Sequence, residues 1–484
     1  MKVLLLGATG LVGRALSLRL ARDGHELIAW VRNPVTARGL LGSGVGVVTA
    51  ADDDASLQDA VARSEAVINL AGAPIARRWT ERVRAEARAS RVGLNERVVR
   101  AMAACEPRPR TFVAASAVGI YGDRGDELLN EDSSVAEGWM AELCREWEAS
   151  ARAAEPLGVR VTMVRIGIVL ANDGGALAAL LPTARLGLGA VIGSGKQYMS
   201  WIELLDLVEL FATALVDERY AGVICGTAPH PVTNRELTRA LTGALGRPQI
   251  FRAPAFALQL ALGEAAQIVL HGQRVLPKRA LELGFRFRHA EIDSAFRELV
   301  SGRVPLDISR VDRWPSSAYL EQRHPRWKLE TRVRLATPLA EVLAFFGRAE
   351  NLGAMTPMGM GFAIIGETPA EVVEGTTIDY RVQVGRLSLR WRTRIDRVDA
   401  DGFADSQMRG PYHAWYHEHS FVADGDGTLM TDRVWYSLPF GALGAIAHPF
   451  YVAPQLREIF HHRTRCAVTR FGDGADAGSA PAHA

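Results

Sequence analysis

Three glycines near the start of this chain have the spacing that most directly implies chemistry. In Lys2-Val-Leu-Leu-Leu-Gly7-Ala-Thr-Gly10-Leu-Val-Gly13-Arg14 an apolar run stops at a glycine, and further glycines follow three and six residues later. Gly7 permits a sharp turn out of a strand, Gly10 lets backbone approach a pyrophosphate, and Gly13 lets helix and strand pack closely. The helix that starts at Leu11 then offers unpaired N–H groups and a positive dipole end to phosphates. Gly7, Thr9, Gly10, Leu11, Val12 and Gly13 form the expected contact set. Glycine spacing alone is weak evidence; a strand before it and a helix after it make it specific.

The next informative pair is Arg32-Asn33, which ends the second strand. An acidic residue there holds a ribose 2′-hydroxyl, whereas a guanidinium pairs with a 2′-phosphate. The expected cofactor is therefore NADP (NADPH), selected by Arg32 with help from Arg14. Asp52 or Asp53 follows the third strand and meets either the adenine edge or solvent.

In the last third, His413, Trp415, His417, His419 and Phe421 alternate along one strand. Same-face neighbours on one strand stand roughly 7 Å apart at ~3.3 Å rise per residue. No carboxylate or cysteine partner is evident in the sequence, so no metal is expected. Trp391, Trp415, His417 and Trp435, with Tyr380, are read as walls of a cavity for an apolar ligand, or as plain core.

These residues need elements to position them. A chain of 484 residues is too long for one core. At 48% hydrophobic and 23% charged it has ordinary globular composition, and a net charge of +2 gives no reason to expect nucleic acid as partner. Four scattered cysteines suggest neither a disulfide framework nor a zinc site. The immediate first strand and the absence of a long apolar run point to a cytoplasmic protein without a membrane span. Up to about residue 225, apolar strands alternate with helical patterns, notably a long one from Trp79 to Cys105, which implies a doubly wound α/β sheet. The arginines at 78, 82, 84, 88 and 91 on that long helix read as a solvated face.

The expected organisation is a Rossmann domain over 1–233, a small helical domain over 234–300 and a linker over 301–319. An α+β domain follows over 320–471, then a disordered tail over 472–484. In the α+β domain a curved antiparallel sheet should grip the closing helix.

Residues 1–300 resemble an atypical extended short-chain dehydrogenase/reductase of the nucleoside-diphosphate-sugar-epimerase-like branch. The matching segments are the glycine turn, Asn69-Leu-Ala-Gly72, Ser116-Ala-Val-Gly-Ile-Tyr121-Gly122, Arg165-Ile-Gly-Ile-Val-Leu170 and Gly193-Ser-Gly-Lys-Gln-Tyr-Met-Ser-Trp201. Residues 320–471 are similar to START-like, polyketide-cyclase-type (SRPBCC) domains. The first resemblance places Leu70, Ala71, Gly72 and Arg165 with the cofactor and Gly195, Gln197 and Trp201 with the substrate. It makes Ser116 and Tyr121 the catalytic candidates.

The family pattern breaks at one point. Where its members carry Tyr-x-x-x-Lys, this chain has Trp139 and Leu143, and no lysine lies between Lys2 and Lys196. Ser116 is then expected to polarise a carbonyl, with Tyr121, Glu142 or Cys144 supplying a proton. Two functions follow: an NADP-dependent oxidoreductase or epimerase-like enzyme acting on a small substrate, or a non-catalytic NADP(H) sensor. Either carries a fused ligand-binding domain, and a homodimer is left open.

Overall fold

The computed structural model describes residues 1–50, 54–172, 174–302, 304–369, 371–384 and 387–474. The chain forms two compact units: Met1–Pro34 with Val45–Ser301, and Val35–Gly44 with the chain from Gly302 onward.

In the first unit seven parallel strands lie in the order Gly222–Gly226, Arg160–Ile166, Thr111–Ala117, Ala66–Asn69, Lys2–Leu6, Glu26–Val31, Val45–Thr49. Central strands are covered on both faces, which explains why Val3 to Leu6 and Ala66 to Ile68 are apolar without alternation and fully buried. The doubly wound parallel sheet expected from the alternation is what forms. The connections diverge on either side of Lys2–Leu6, and the crevice of such a sheet opens there, at the carboxyl ends of the strands.

The predicted long helix is interrupted. It runs as Glu81–Arg88, a π-helical turn Ala89–Gly93, and Leu94–Ala103. A π turn adds a residue to the repeat and rotates everything it carries relative to a 3.6-residue period. Arg91 lies on that turn and is half-buried, not on the solvated face that its spacing suggested.

The second unit is an antiparallel sheet of eight strands in the order Leu306–Arg310, Trp327–Leu335, Gly427–Ser437, Ala414–Asp424, Gly402–Arg409, Leu387–Asp399, Thr377–Val384, Ala363–Ile364. The helix Ala453–Phe471 buries Leu456 and Phe460 against Trp327, Leu329, Val434 and Tyr436 of this sheet. Two boundary expectations are corrected. The stretch expected as a linker contributes the edge strand, with Leu306 opposite Thr331. The start of the expected tail is pinned, because Asp473 bridges Leu335 and Arg334 Nη1 donates to the Gly474 carbonyl at 2.7 Å; residues 475–484 lie outside the described residues.

Strand register also corrects the expected cavity. Trp391, Trp415 and Tyr436 share the face under the long helix, with the Trp391 and Trp415 rings 5.3 Å apart. Trp435 is opposite Tyr416 and packs with Tyr319, Leu320 and Ala404 on the other face. It cannot wall the same cavity, since adjacent residues of a strand point to opposite faces.

His417 and His419 come closer than strand rise alone implies, with ring centroids 3.7 Å apart. Neighbouring strands also supply the carboxylates that sequence reading missed. His417 Nε2 donates to Asp432 at 2.9 Å, and His419 Nε2 donates to Asp405 at 3.2 Å. Arg463 of the long helix donates to Asp432 at 3.0 Å. Asp405, His417 and His419 place possible ligand atoms within 4.8 Å of one another. Arg463 also lies 2.9 Å from His419 Nδ1, so a guanidinium occupies the ground beside them. Among the described residues no helix is long and apolar enough to cross a membrane.

Candidate dinucleotide-binding cleft

The glycine turn is built by contact. Gly7 takes a φ of +81°, and a Cβ there would lie 2.7 Å from the Leu70 carbonyl carbon and 2.8 Å from Ala71 N. The turns after the first and fourth strands therefore touch backbone to backbone. At Gly13 a Cβ would overlap the Gly7 carbonyl oxygen outright and stand 2.8 Å from Ala8 Cα. Gly10 begins the helix Leu11–Arg22 with no side chain to cap it, and its N–H donates to Gly7 O at 3.0 Å. The leading N–H groups of Leu11, Val12 and Gly13 precede the first intrahelical bond, from Arg14 N to Gly10 O, and so remain open to an anion. Thr9 lies within this turn.

Arg32 directly follows the second strand of the sheet, exposed, with no hydrogen bond or ion pair among the described residues. Arg14, by contrast, is buried. Asp53 lies outside the described residues.

The loop Leu70-Ala71-Gly72 is held by polar side chains that sequence reading did not single out. Buried Asn69 accepts from Ala71 N at 3.0 Å and donates to Asn95 Oδ1 at 2.8 Å. Asn95 in turn donates to the Trp147 carbonyl and to Ser150 Oγ, both at 3.2 Å. Ser90, on the π turn, accepts from Ala73 N at 2.9 Å. Two sets of hydrogen bonds thus tie loop 69–73 to the π turn and to the helix Trp139–Arg152. The spacing of Asn69 and Asn95 carries no local signal, because they meet only through the sheet.

The catalytic candidates are drawn inward. Ser116, 2% exposed, donates its hydroxyl to Glu148 Oε1 at 2.8 Å. Glu148 also takes Arg165 Nε at 2.7 Å and Nη2 at 2.8 Å in a two-pronged ion pair, and Arg165 Nη1 donates to the Tyr121 hydroxyl at 2.7 Å. Tyr121, fully buried, donates onward to the Asn130 carbonyl at 2.7 Å. Burial, with Cys225 beside it, drives the Tyr121 pKa far above that of a free phenol despite Arg165. Cys144 is pushed up to about 12 by burial and Glu148. Arg165 is thus engaged with Glu148 and Tyr121, and Tyr121 ties this network to the Asn130 carbonyl. Trp201, expected with the substrate, is fully buried, its indole donating to His230 O at 3.0 Å.

The loop expected at the substrate is also internally engaged. Gln197 Nε2 donates to the Ile192 and Val269 carbonyls at 3.1 and 3.0 Å, and the Gly195 carbonyl accepts from Arg235 N at 3.0 Å. Trp139 packs against Trp79, with ring centroids 4.4 Å apart and planes tilted by 55°, in a cluster that includes Leu262, Ala265 and Ile268. Leu143 is buried. Both residues serve packing.

A sequence profile of the NAD dependent epimerase/dehydratase family matches residues 3–223, and a domain of unknown function, DUF1731, matches residues 253–299. The Arabidopsis thaliana protein named "Epimerase family protein SDR39U1 homolog, chloroplastic" is 41% identical over 304 residues, covering 62% of this chain and 87% of that protein. Epimerase family protein YfhF of Bacillus subtilis is 31% identical, covering 63% of this chain and 99% of that protein. Among solved structures, human epimerase family protein SDR39U1 (isoform 2) with NADPH is 32% identical with a TM-score of 0.55, covering 62% of this chain and 99% of that one. Each match spans about three fifths of the chain. Relatives this similar, matched over nearly their whole length, show that the chain belongs to the SDR39U1-type epimerase family of NAD(P)-binding short-chain dehydrogenase/reductase-like proteins.

Proposed function

We propose that the first unit binds NADP(H) and acts as an oxidoreductase or epimerase-like enzyme on a small substrate. The observation that carries this reading is the pairing of an uncapped helix start behind the glycine turn with the exposed Arg32 at the end of the second strand. An absent side chain at Gly7 and Gly13 leaves the backbone cradle that a diphosphate needs, and Arg32 has the geometry to take a 2′-phosphate. The human relative solved with NADPH supports the same choice of cofactor. When bound, the dinucleotide supplies hydride chemistry; the chain's residues grip its phosphates and orient it against the loop Leu70–Gly72. In this reading residues 1–233 form the binding domain and 234–300 its helical extension.

A second reading, an NADP(H) sensor without turnover, is favoured by a specific observation. Trp139 and Leu143 replace the proton-transfer pair, while Ser116 and Tyr121 have their hydroxyls engaged in the interior. Steady oxidation of NADPH by a carbonyl compound supports the enzyme; binding with no turnover across a panel of carbonyl compounds supports the sensor.

For the second unit we propose a START-like helix-grip domain, over about 320–471, that holds an apolar ligand. The aromatic face of Trp391, Trp415 and Tyr436 under the long helix supports this, as does the exposure of Phe440, Leu443, Ile446 and Phe450 in the same unit. His417 borders Trp415 with ring centroids 6.4 Å apart.

The cofactor assignment is tested by titrating Arg32→Glu with NADPH and NADH. NADPH affinity should fall by about tenfold or more, the scale of one charge-assisted pair, while NADH affinity changes little. Equal losses for both would remove the argument for NADP.

A further inference from the structure

The second unit brings together chemistry that is scattered in the sequence. Asp405, His417, His419 and Asp432 come from three neighbouring strands, and all four are buried beside Arg463 of the helix Ala453–Phe471. Strand register sets this meeting: Asp405 is opposite His417, and His419 is opposite Asp432. The two histidines form a His-x-His pair on one face of one strand, so both rings reach the same space.

Asp432 meets one nitrogen of each ring, His417 Nε2 and His419 Nδ1, both at 2.9 Å. Each ring therefore keeps its other nitrogen for a further partner. His419 turns that nitrogen, Nε2, toward Asp405 Oδ2 at 3.2 Å. Two ligands of a tetrahedral ion stand about 3.4 Å apart, so this pair is already at coordination distance. Asp405, His417 and His419 offer ligand atoms that all lie within 4.8 Å of one another. A side-chain movement of about 1 Å closes the set around one ion. Charge points the same way. With both imidazoles neutral, as metal ligands must be, two carboxylates face one guanidinium. Arg463 answers Asp432, whereas Asp405 has no arginine or lysine partner among the described residues. A buried carboxylate without a cation is costly, and a bound metal ion removes that cost.

We infer that Asp405, His417 and His419 bind one divalent transition-metal ion, with Asp432 and Arg463 as its outer support. Two nitrogens and one oxygen suit zinc, iron(II) or cobalt(II); calcium and magnesium take oxygen ligands. Asp432 holds both rings as carboxylates commonly hold metal-bound histidines. Three protein ligands leave a coordination position for water or a ligand oxygen, as in catalytic metal sites.

The test strips the full chain with a chelator, then titrates it with Zn²⁺ by calorimetry and with Co²⁺ by visible absorption. One ion per chain should bind. The Co²⁺ form should show ligand-field bands without thiolate-to-metal charge transfer, since no cysteine takes part. Asp405→Asn and His419→Gln should each weaken binding more than about 100-fold, and Asp432→Asn about 10–100-fold, the scale of a lost outer partner. His413→Ala, exposed just before the same strand, should bind as wild type. A wild-type chain that takes up neither ion overturns the site. So does a thiolate charge-transfer band, or binding lost in folded Cys466→Ser, because Cys466 Sγ lies 3.2 Å from His462 Nε2 and offers a competing place for zinc. Binding unchanged in folded Asp405→Asn or His419→Gln overturns it too. Should those variants fail to fold, the wild-type stoichiometry and Co²⁺ spectrum decide.

Discussion

Adding one methyl group at Gly13, and separately at Gly10, divides the fold's need for the glycine turn from the ligand's need. At Gly13 the new carbon would overlap Gly7 O and stand 2.8 Å from Ala8 Cα, where ordinary contact begins at 3.4 Å. Strand turn and helix must part by at least about half an ångström, and both obstructing groups are backbone, which cannot swing aside. Overpacking of this kind costs ~1–3 kcal/mol. The helix preference of Ala over Gly returns ~0.5–1 kcal/mol, leaving a net loss of about 1–2 kcal/mol. At roughly 2–4 °C per kcal/mol, the first unit should melt about 2–8 °C lower. At Gly10 the nearest atom is Gly7 O at 3.3 Å and φ is −77°, so alanine fits with little movement. Gly10→Ala should melt within about 2 °C of wild type, since surface substitutions of this kind stay near ±0.5 kcal/mol. Both variants should lose NADPH affinity in a fluorescence titration, Gly13→Ala through the displaced cradle and Gly10→Ala through the methyl facing the diphosphate. If Gly13→Ala melts like wild type, the backbone contact is not what requires glycine there. If Gly10→Ala binds NADPH like wild type, the diphosphate does not approach at Gly10.

Two further outcomes concern the interior networks. Glu148→Gln leaves Arg165 buried without its counter-charge and should destabilise the first unit by about 3–5 kcal/mol in urea denaturation; a loss below about 1 kcal/mol would mean the pair is solvated. In the second unit, burial and the neighbouring His419 pull the His417 pKa down to about 4, whereas the unfolded chain takes up that proton near 6.5. Between these values the unfolded state binds more protons. The contribution of neutral His417 is therefore complete above pH 6.5 and lost as pH falls toward 4, about 3 kcal/mol in all. Asp432 adds to acid lability lower down: burial alone would raise its pKa, but Arg463 and the two histidines hold it well below the carboxylate value. Stability of the second unit that stays level between pH 7 and 4.5 would refute the buried-neutral state of His417.

The glycine turn, the strands of the parallel sheet and the placement of Arg32 were legible because their causes are local. Gly7, Gly10 and Gly13 act within one turn, and Leu4 to Leu6 are apolar because a central strand has no wet face. Arg91 was misread for an equally physical reason. Helical periodicity assumes 3.6 residues per turn, and the π turn Ala89–Gly93 breaks the phase where the side chain matters. Trp435 was placed on the wrong face because the side of a strand residue follows from register, and register is known only when Trp435 is seen opposite Tyr416.

The linear order of residues determined which segments become strands and helices, where the glycine turn lies, and that a tyrosine–lysine pair is missing. Folding alone decided the partners: Ser116 with Glu148 across 32 residues, Arg165 with Tyr121 across 44, His419 with Arg463 across 44. Polar groups far apart in sequence become partners only when burial strips them of water and each must find another to replace it.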